Sequence, residues 1–134
     1  MFRLKILFRS PTHTTMKRKT IGMVLLGLAA FALVGSGAAK LFAEPEAGMP
    51  ARFLAMKSYL AIIEFLIVIA LAIPKTRKLG IILAASYFGG VIAFQWLIEG
   101  QAFPLVGVIL NTLLYAGAAL YYPSVTDGGS GVAD

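Results

Sequence analysis

The 134-residue chain contains no cysteine, a single histidine, and few charged residues, which make up 13% of the sequence. The lack of cysteine excludes disulfides, thiol redox chemistry and thiolate metal sites. His13 lies in a basic segment rather than in an apolar run, so the chain alone cannot hold a haem between two membrane histidines. Soluble domains are about one quarter charged, and a hydrophobic fraction of 59% therefore indicates a membrane protein.

Four long apolar runs account for most of the chain. They span residues 21–39 (extendable to 43), 51–73, 79–98 and 103–122. A hydrocarbon core about 30 Å thick requires about 20 residues of helix, which each run approximates. Prolines flank the second run and follow the fourth. The short connections PKTRK and EGQA force neighbouring helices to be antiparallel. We therefore predict an all-α fold, a transmembrane four-helix up-down bundle.

The basic residues are distributed unequally between the two sides of the predicted bundle. One side carries Arg3, Lys5, Arg9, Lys17, Arg18, Lys19, Lys75, Arg77 and Lys78, and the other carries Lys40, Arg52 and Lys57. By the positive-inside rule, both termini are expected to be cytoplasmic, in a bacterial cytoplasmic (inner) membrane. The net charge of +6 is thus interpreted as membrane orientation, with the lipid bilayer as partner and no nucleic acid.

The predicted organisation has three parts. Residues 1–19 form a basic cytoplasmic segment, residues 20–123 the four-helix domain, and residues 124–134 a flexible tail. Met16 precedes Lys-Arg-Lys and an apolar run, a pattern typical of a bacterial start, so residues 1–15 are interpreted as a mis-set start. An interfacial basic segment is the alternative. A cleaved signal peptide is disfavoured, because cleavage would leave three helices.

Glu64 is an ionisable residue near the centre of the second apolar run. Membrane carboxylates normally face the bundle interior and find a partner. The apolar run offsets the cost of inserting a neutral Glu64, so an ion pair with Lys40 is allowed but not required. The predicted polar network consists of Glu64, Lys40, Ser36, Asn111, Tyr115 and Gln95. Three interpretations remain open: a network that only holds the helices together, a ligand or quinone pocket, and a proton-coupled site.

Small residues recur in the apolar runs at spacings that suit close helix approach. The candidates for helix packing are Gly35, Gly37, Gly89, Gly90 and Gly107. The GSG and GG sequences lack the strand-turn-helix context of a phosphate loop. We interpret them as packing positions.

The order of these features resembles the DoxX-like family of small bacterial membrane proteins. A first helix ends in GSGAAKLF, a PEAGMP linker follows, and the second helix carries a central glutamate and ends at a proline. The matching residues are Gly37, Lys40, Pro50, Glu64 and Pro74, and the resemblance covers roughly residues 17–123.

The resemblance implies a four-helix bundle associated with membrane oxidoreductase systems, such as a thiosulfate:quinone oxidoreductase subunit. With no redox centre of its own, the chain would be a non-catalytic accessory or anchor subunit, or a binder of a lipid-soluble ligand such as quinone. The expected partner is a membrane oxidoreductase subunit or a second copy of the chain. Lys40 and Glu64 are then the most important pair.

The alternative function is a small proton-coupled transporter that uses Glu64. Small multidrug transporters also have four helices and one membrane glutamate, but theirs lies in the first helix and their charge bias is weaker. An intramembrane enzyme is disfavoured, because no catalytic constellation is recognisable and neither Ser36 nor Ser86 has a visible base. No metal site is expected.

Overall fold

A computed structural model describes residues 13–45 and 47–125 of the chain. Its elements are α1 (His13–Phe42), α2 (Ala51–Ala72), α3 (Arg77–Leu97), α4 (Leu105–Tyr121) and a short 3-10 helix (Pro123–Val125). The described residues contain no strand. The predicted all-α four-helix bundle with antiparallel neighbours is confirmed.

The four helices form a closed ring. Each helix packs against its neighbour in the chain, α1 packs against α4, and no diagonal pair is in appreciable contact among the described residues. The interior is filled by large apolar side chains that are at most 4% exposed, namely Leu26, Leu33, Ile67, Phe88 and Leu114. Many other large apolar side chains face outward. This arrangement is expected when the surroundings of the bundle are lipid.

By length and composition, α1, α2 and α3 are long and apolar enough to cross a membrane. Helix α4, predicted as a span over 103–122, has 17 residues. It is therefore about 26 Å long, slightly less than a typical hydrocarbon core. Helix α1 begins well before the apolar run, because the Met, Lys and Arg at 16–19 are all good helix formers. The chain is a small multi-pass membrane protein.

The two ends of the bundle differ in charge. At the basic end, α1 and α3 begin and α2 and α4 end, and the described basic residues there are Lys17, Arg18, Lys19, Lys75, Arg77 and Lys78. The opposite end, here called the distal end, carries charges of both signs, and its described charged residues are Lys40, Glu44, Arg52, Lys57 and Glu99. Residues 1–12, part of the predicted cytoplasmic segment, and 126–134, most of the predicted tail, lie outside the described residues.

Two glycines permit direct contact between helix backbones. A Cβ on Gly22 would lie 2.7 Å from the Tyr121 nitrogen and 2.8 Å from the Gly117 oxygen of α4. A Cβ on Gly80 would lie 2.6 Å from the Leu71 nitrogen of α2. Backbone atoms cannot move aside as a flexible side chain can, so these glycines set the closest approach of their helices.

The five glycines predicted for helix packing lie in two kinds of environment. A Cβ on Gly37 would lie 3.2 Å from Glu64 Oε2, and one on Gly107 would lie 2.7 Å from Ile92 Cγ1. A Cβ on Gly35, Gly89 or Gly90 would have no neighbour within 4 Å. A packing role for these last three stays a prediction, and within the single chain it has no contact to support it.

Candidate functional site

Glu64 lies in the middle of α2, and its side chain points into the bundle. Residue Glu64 is 0% exposed, and it shares its helix face with Ala61, Ile67 and Leu71, which are also buried. These positions recur at three- and four-residue spacings, as expected for one helix stripe. The orientation of α2 about its own axis therefore turns the carboxylate toward the bundle interior and away from lipid.

Two α1 side chains bind the Glu64 carboxylate. Ser36 Oγ donates a hydrogen bond to Glu64 Oε1 at 2.8 Å. Lys40 Nζ donates to the same oxygen at 2.8 Å and also donates to Ser36 Oγ. The i, i+4 spacing of Ser36 and Lys40 places both on one face of α1. We call these three residues the ion-pair cluster.

The ion-pair cluster retains hydrogen-bonding capacity. Glu64 Oε2 is buried without a hydrogen-bond partner, at the point where α1 carries Gly37 instead of a larger residue. The Lys40 side chain remains 17% exposed. Burying two charges is costly, and their attraction repays the cost only with good geometry and additional hydrogen bonds. Glu64 Oε1 meets that condition with two donors, whereas Oε2 does not.

Tyr87 of α3 completes the surroundings of the ion-pair cluster. Its ring centroid lies 6.0 Å from Lys40 Nζ, and its hydroxyl is close enough to interact electrostatically with Glu64. Tyr87 is not among the residues predicted from the sequence. A tyrosine within an apolar run is an ordinary packing residue, so its position in the sequence carried no signal of this role.

A cavity of about 470 Å³ opens beside Lys40, between α1, α2 and α3. We call it the Lys40 cavity. Its lining includes Ser36 and Lys40 from α1, Phe53 and Leu60 from α2, and Tyr87 and Phe94 from α3. The rings of Phe53 and Phe94 are stacked, with centroids 4.8 Å apart. The cavity therefore combines aromatic walls with an ammonium group and a hydroxyl group.

The other three residues of the predicted polar network do not hydrogen-bond to Glu64. Gln95 is buried, and its Oε1 accepts a hydrogen bond from the Gly107 amide at 3.1 Å, linking α3 to α4. Asn111 Oδ1 is buried without a partner. Tyr115 is 54% exposed. The structure thus brings Ser36, Lys40 and Glu64 together and leaves these three outside the cluster.

A second inward-facing cation, Arg77, is buried at the basic end. Its Nε donates to the Leu71 carbonyl at 2.9 Å, its Nη1 to the Tyr121 hydroxyl at 3.0 Å, and its Nη2 to the Ala72 carbonyl. The last carbonyls of a helix lack intrahelical donors, and Arg77 donates hydrogen bonds to two of these carbonyls in α2. From the sequence, Arg77 is predicted only to contribute to membrane orientation. Its place just after Pro74, where α2 must end, was the available signal.

Within residues 13–45 and 47–125, no group of three or more His, Asp or Glu side chains is suited to hold a metal ion. Comparisons of the chain with protein-family models, with curated proteins and with solved structures found no match. The resemblance to the DoxX-like family therefore has no support from these comparisons. The structure defines a small all-helical protein of four helices, three of them long and apolar.

Proposed function

We propose that the protein binds a lipid-soluble ligand of the quinone class in the Lys40 cavity, as an accessory or anchor subunit of a membrane redox system. The observation that carries the proposal is that Lys40, part of a buried ion pair, also lines a cavity with aromatic walls. A volume of about 470 Å³ falls in the range of small-molecule sites.

The cavity provides the groups that a quinone ring requires. An ammonium group has three donors, and Lys40 uses two of them on Ser36 and Glu64, which leaves one for a ligand carbonyl. Phe53 and Phe94, which stack on each other, form an aromatic wall against which a flat conjugated ligand can pack. Since no redox group is required of the chain, its proposed part is to hold the ligand for a partner.

The proposed topology has four crossings with both termini in the cytoplasm of a bacterium. Helix α4 packs against both α1 and α3, and a member of the ring must lie in the same layer as its neighbours. Its 17 residues are at the short end of the range for membrane helices. The concentration of lysine and arginine at the basic end supports the orientation.

The test is titration of the full chain in nanodiscs with a short-chain ubiquinone analogue, followed by native mass spectrometry and equilibrium binding. The pair Lys40→Met with Glu64→Gln removes both charges and avoids an isolated buried carboxylate. A hydrogen bond from a charged group contributes about 1.5 to 3 kcal/mol, so we expect binding about 10- to 100-fold weaker. Arg52→Met is the matched control, because Arg52 is a distal-end cation that does not line the cavity. Absence of quinone binding, or equal affinities in the three proteins, would contradict the proposal.

Co-purification from mild detergent tests the accessory role separately. The expected result is a complex with an oxidoreductase subunit or a homo-oligomer carrying bound quinone. A bare monomer without quinone or partner is the contrary result. Native mass spectrometry of protein extracted with its lipids reports partner, stoichiometry and ligand together.

Proton-coupled transport is the second candidate function. The observation in its favour is that Glu64 is fully buried, that its Oε2 lacks a well-formed hydrogen bond, and that its partner Lys40 lines the Lys40 cavity. A transporter would alternately load and release a proton at this group. Proton flux in proteoliposomes and drug tolerance of cells should then fall with Glu64→Gln. Unchanged values for both would remove this function and leave quinone binding as the proposal.

A further inference from the structure

A second cavity of about 470 Å³ lies between α3 and α4 at the basic end, apart from the ion-pair cluster. We call it the Lys78 groove. Its lining includes Lys78, Ile81, Ile82 and Ala85 from α3, Tyr115 from α4, and Tyr122 just after α4. Apart from the lysine at one end, its walls are mainly apolar. The groove therefore suits an amphiphilic ligand, because it has one charged end and an apolar body.

The groove runs along the helices from the end of the bundle toward its middle. Lys78 belongs to the first turn of α3, and Ser86, also in the lining, comes eight residues later. At a helical rise of 1.5 Å per residue, Ser86 lies about 12 Å along α3 from Lys78. Lys78 thus lies at headgroup depth while Ile82, Ala85 and Tyr115 lie at acyl-chain depth. A lipid placed with its headgroup at the bundle end has the same order of polarity.

The charge at the mouth of the groove is not neutralised by a described carboxylate. Lys78 Nζ lies 5.2 Å from the centroid of the Tyr122 ring, a cation–π contact that holds the ammonium at the mouth. The one salt bridge among residues 13–45 and 47–125 joins Lys40 to Glu64. Lys75 is exposed in the connecting turn just before α3. The positive end of the α3 helix dipole lies at the same end of the bundle.

We infer that the Lys78 groove binds one anionic phospholipid, with its phosphate at Lys78 and an acyl chain against Ile82 and Ala85. Basic pockets between membrane helices suit anionic headgroups, and the apolar body of the groove selects a lipid rather than a free anion. The groove shares Ser86 with the Lys40 cavity, but it opens between α3 and α4 and contains neither Lys40 nor the stacked phenylalanines. The inference does not depend on the proposed function.

The experiment is native mass spectrometry of the full-length protein, delipidated in detergent and titrated with phosphatidylglycerol or phosphatidylcholine of the same acyl composition. We expect one phosphatidylglycerol to bind more tightly than phosphatidylcholine. A lysine near the headgroup contributes about 1 kcal/mol, so Lys78→Gln should weaken phosphatidylglycerol about fivefold. The matched control is Lys75→Gln, which removes the same charge three residues earlier, in the connecting turn before α3 and outside the groove lining. It should change the affinity less than twofold.

Two further measurements test whether the lipid binds in the groove, rather than to a diffuse charged surface or to a site for free anions. Ala85→Phe fills the apolar part of the groove and leaves the charge intact, and it should also weaken phosphatidylglycerol binding. Glycerol phosphate added in excess should not displace the lipid. The inference is overturned if both lipids bind equally, if Lys75→Gln and Lys78→Gln have equal effects, if Ala85→Phe has none, or if glycerol phosphate competes.

Discussion

The bundle contains two inward-facing cations, the partly buried Lys40 and the buried Arg77, and their partners are of different kinds. Lys40 is paired with the Glu64 carboxylate on α2 and with Ser36 on its own helix, and it borders a cavity. Arg77 is 8% exposed and is bound entirely by neutral oxygens, two helix carbonyls and the Tyr121 hydroxyl. One cation is therefore neutralised by an opposite charge, and the other is stabilised by dipoles at the end of a helix.

The surroundings of Lys40 leave hydrogen-bonding groups free for a ligand, whereas the surroundings of Arg77 form a structural contact. In the ion-pair cluster, Glu64 Oε2 receives no well-formed hydrogen bond, although the Tyr87 hydroxyl interacts with this carboxylate, and Lys40 keeps one donor for a ligand. At Arg77, all three guanidinium nitrogens are engaged, and the contact joins the end of α2, the start of α3 and the end of α4. We expect substitutions at Lys40 to alter ligand binding and stability together, and substitutions at Arg77 to alter stability alone.

The largest effect is expected from Lys40→Met, which leaves the Glu64 carboxylate buried without its counter-charge. Removing one member of a buried ion pair costs about 3 to 5 kcal/mol. The free energy of unfolding, measured by denaturant titration in detergent micelles, should fall by that amount. Adding Glu64→Met should restore most of it, because an apolar pair of similar size replaces the ion pair. If the single variant were as stable as the parent protein, the cluster would not hold the bundle together.

Arg77→Lys should have the next largest effect. A lysine ammonium cannot reproduce the planar fork that reaches three acceptors, so at least one carbonyl at the end of α2 loses its donor. We expect a loss of about 2 kcal/mol in the free energy of unfolding. Quinone affinity in the nanodisc titration should be unchanged. A drop in quinone affinity comparable to that of the Lys40 variant would remove the distinction between the two cations. Lys75→Gln, at an exposed position in the same turn, is the stability control.

Glycine substitutions compare the packing of the same two regions. At the basic end, a Cβ on Gly22 meets α4 backbone atoms, so Gly22→Ala should cost about 1 to 3 kcal/mol of unfolding free energy. Beside the ion-pair cluster, a Cβ on Gly37 meets only the ends of the Glu64 and Phe65 side chains, which can shift, so the cost should be below about 1 kcal/mol.

Gly35→Ala is the control for both glycine variants, because a Cβ there has no neighbour within 4 Å. Replacing glycine by alanine in a helix is itself favourable by up to about 1 kcal/mol, so this variant should be as stable as the parent or more stable. A destabilised Gly35→Ala variant would instead indicate that the open face is covered by a second copy of the chain.

The smallest effect is expected from Tyr121→Phe, which removes one of the three acceptors of Arg77. A single hydrogen bond contributes about 0.5 to 1.5 kcal/mol, and the other two acceptors remain. Thermal unfolding in detergent should show a correspondingly small decrease. Tyr59→Phe serves as the control, because Tyr59 is 67% exposed. Equal decreases for the two variants would mean that the Tyr121 hydroxyl adds nothing to the contact.

The polar residues show which contacts could be predicted from the sequence and which could not. Glu64, Lys40 and Ser36 were predicted together from the rarity of charge in a membrane helix and from the i, i+4 spacing. Gln95 and Asn111 were assigned to the same network, although Gln95 binds the Gly107 amide and Asn111 Oδ1 has no partner. Tyr87 was missed altogether. The rotation of α3 and α4 about their axes decides these contacts, and a helix that is apolar on every face has no pattern to reveal it.

Four helices, their order, their antiparallel connection and the basic end could all be predicted from the amino-acid sequence. The signals for them act locally along the chain: run length, apolar composition, prolines, and the placement of lysine and arginine. Which helix faces meet depends instead on packing between the helices. This packing closed the ring between α1 and α4, where Gly22 contacts the α4 backbone, and it bound Arg77 to the end of α2. It also left one cavity beside Lys40 and another beside Lys78. These features depend on side chains from different helices packing in one arrangement, which no single helix encodes.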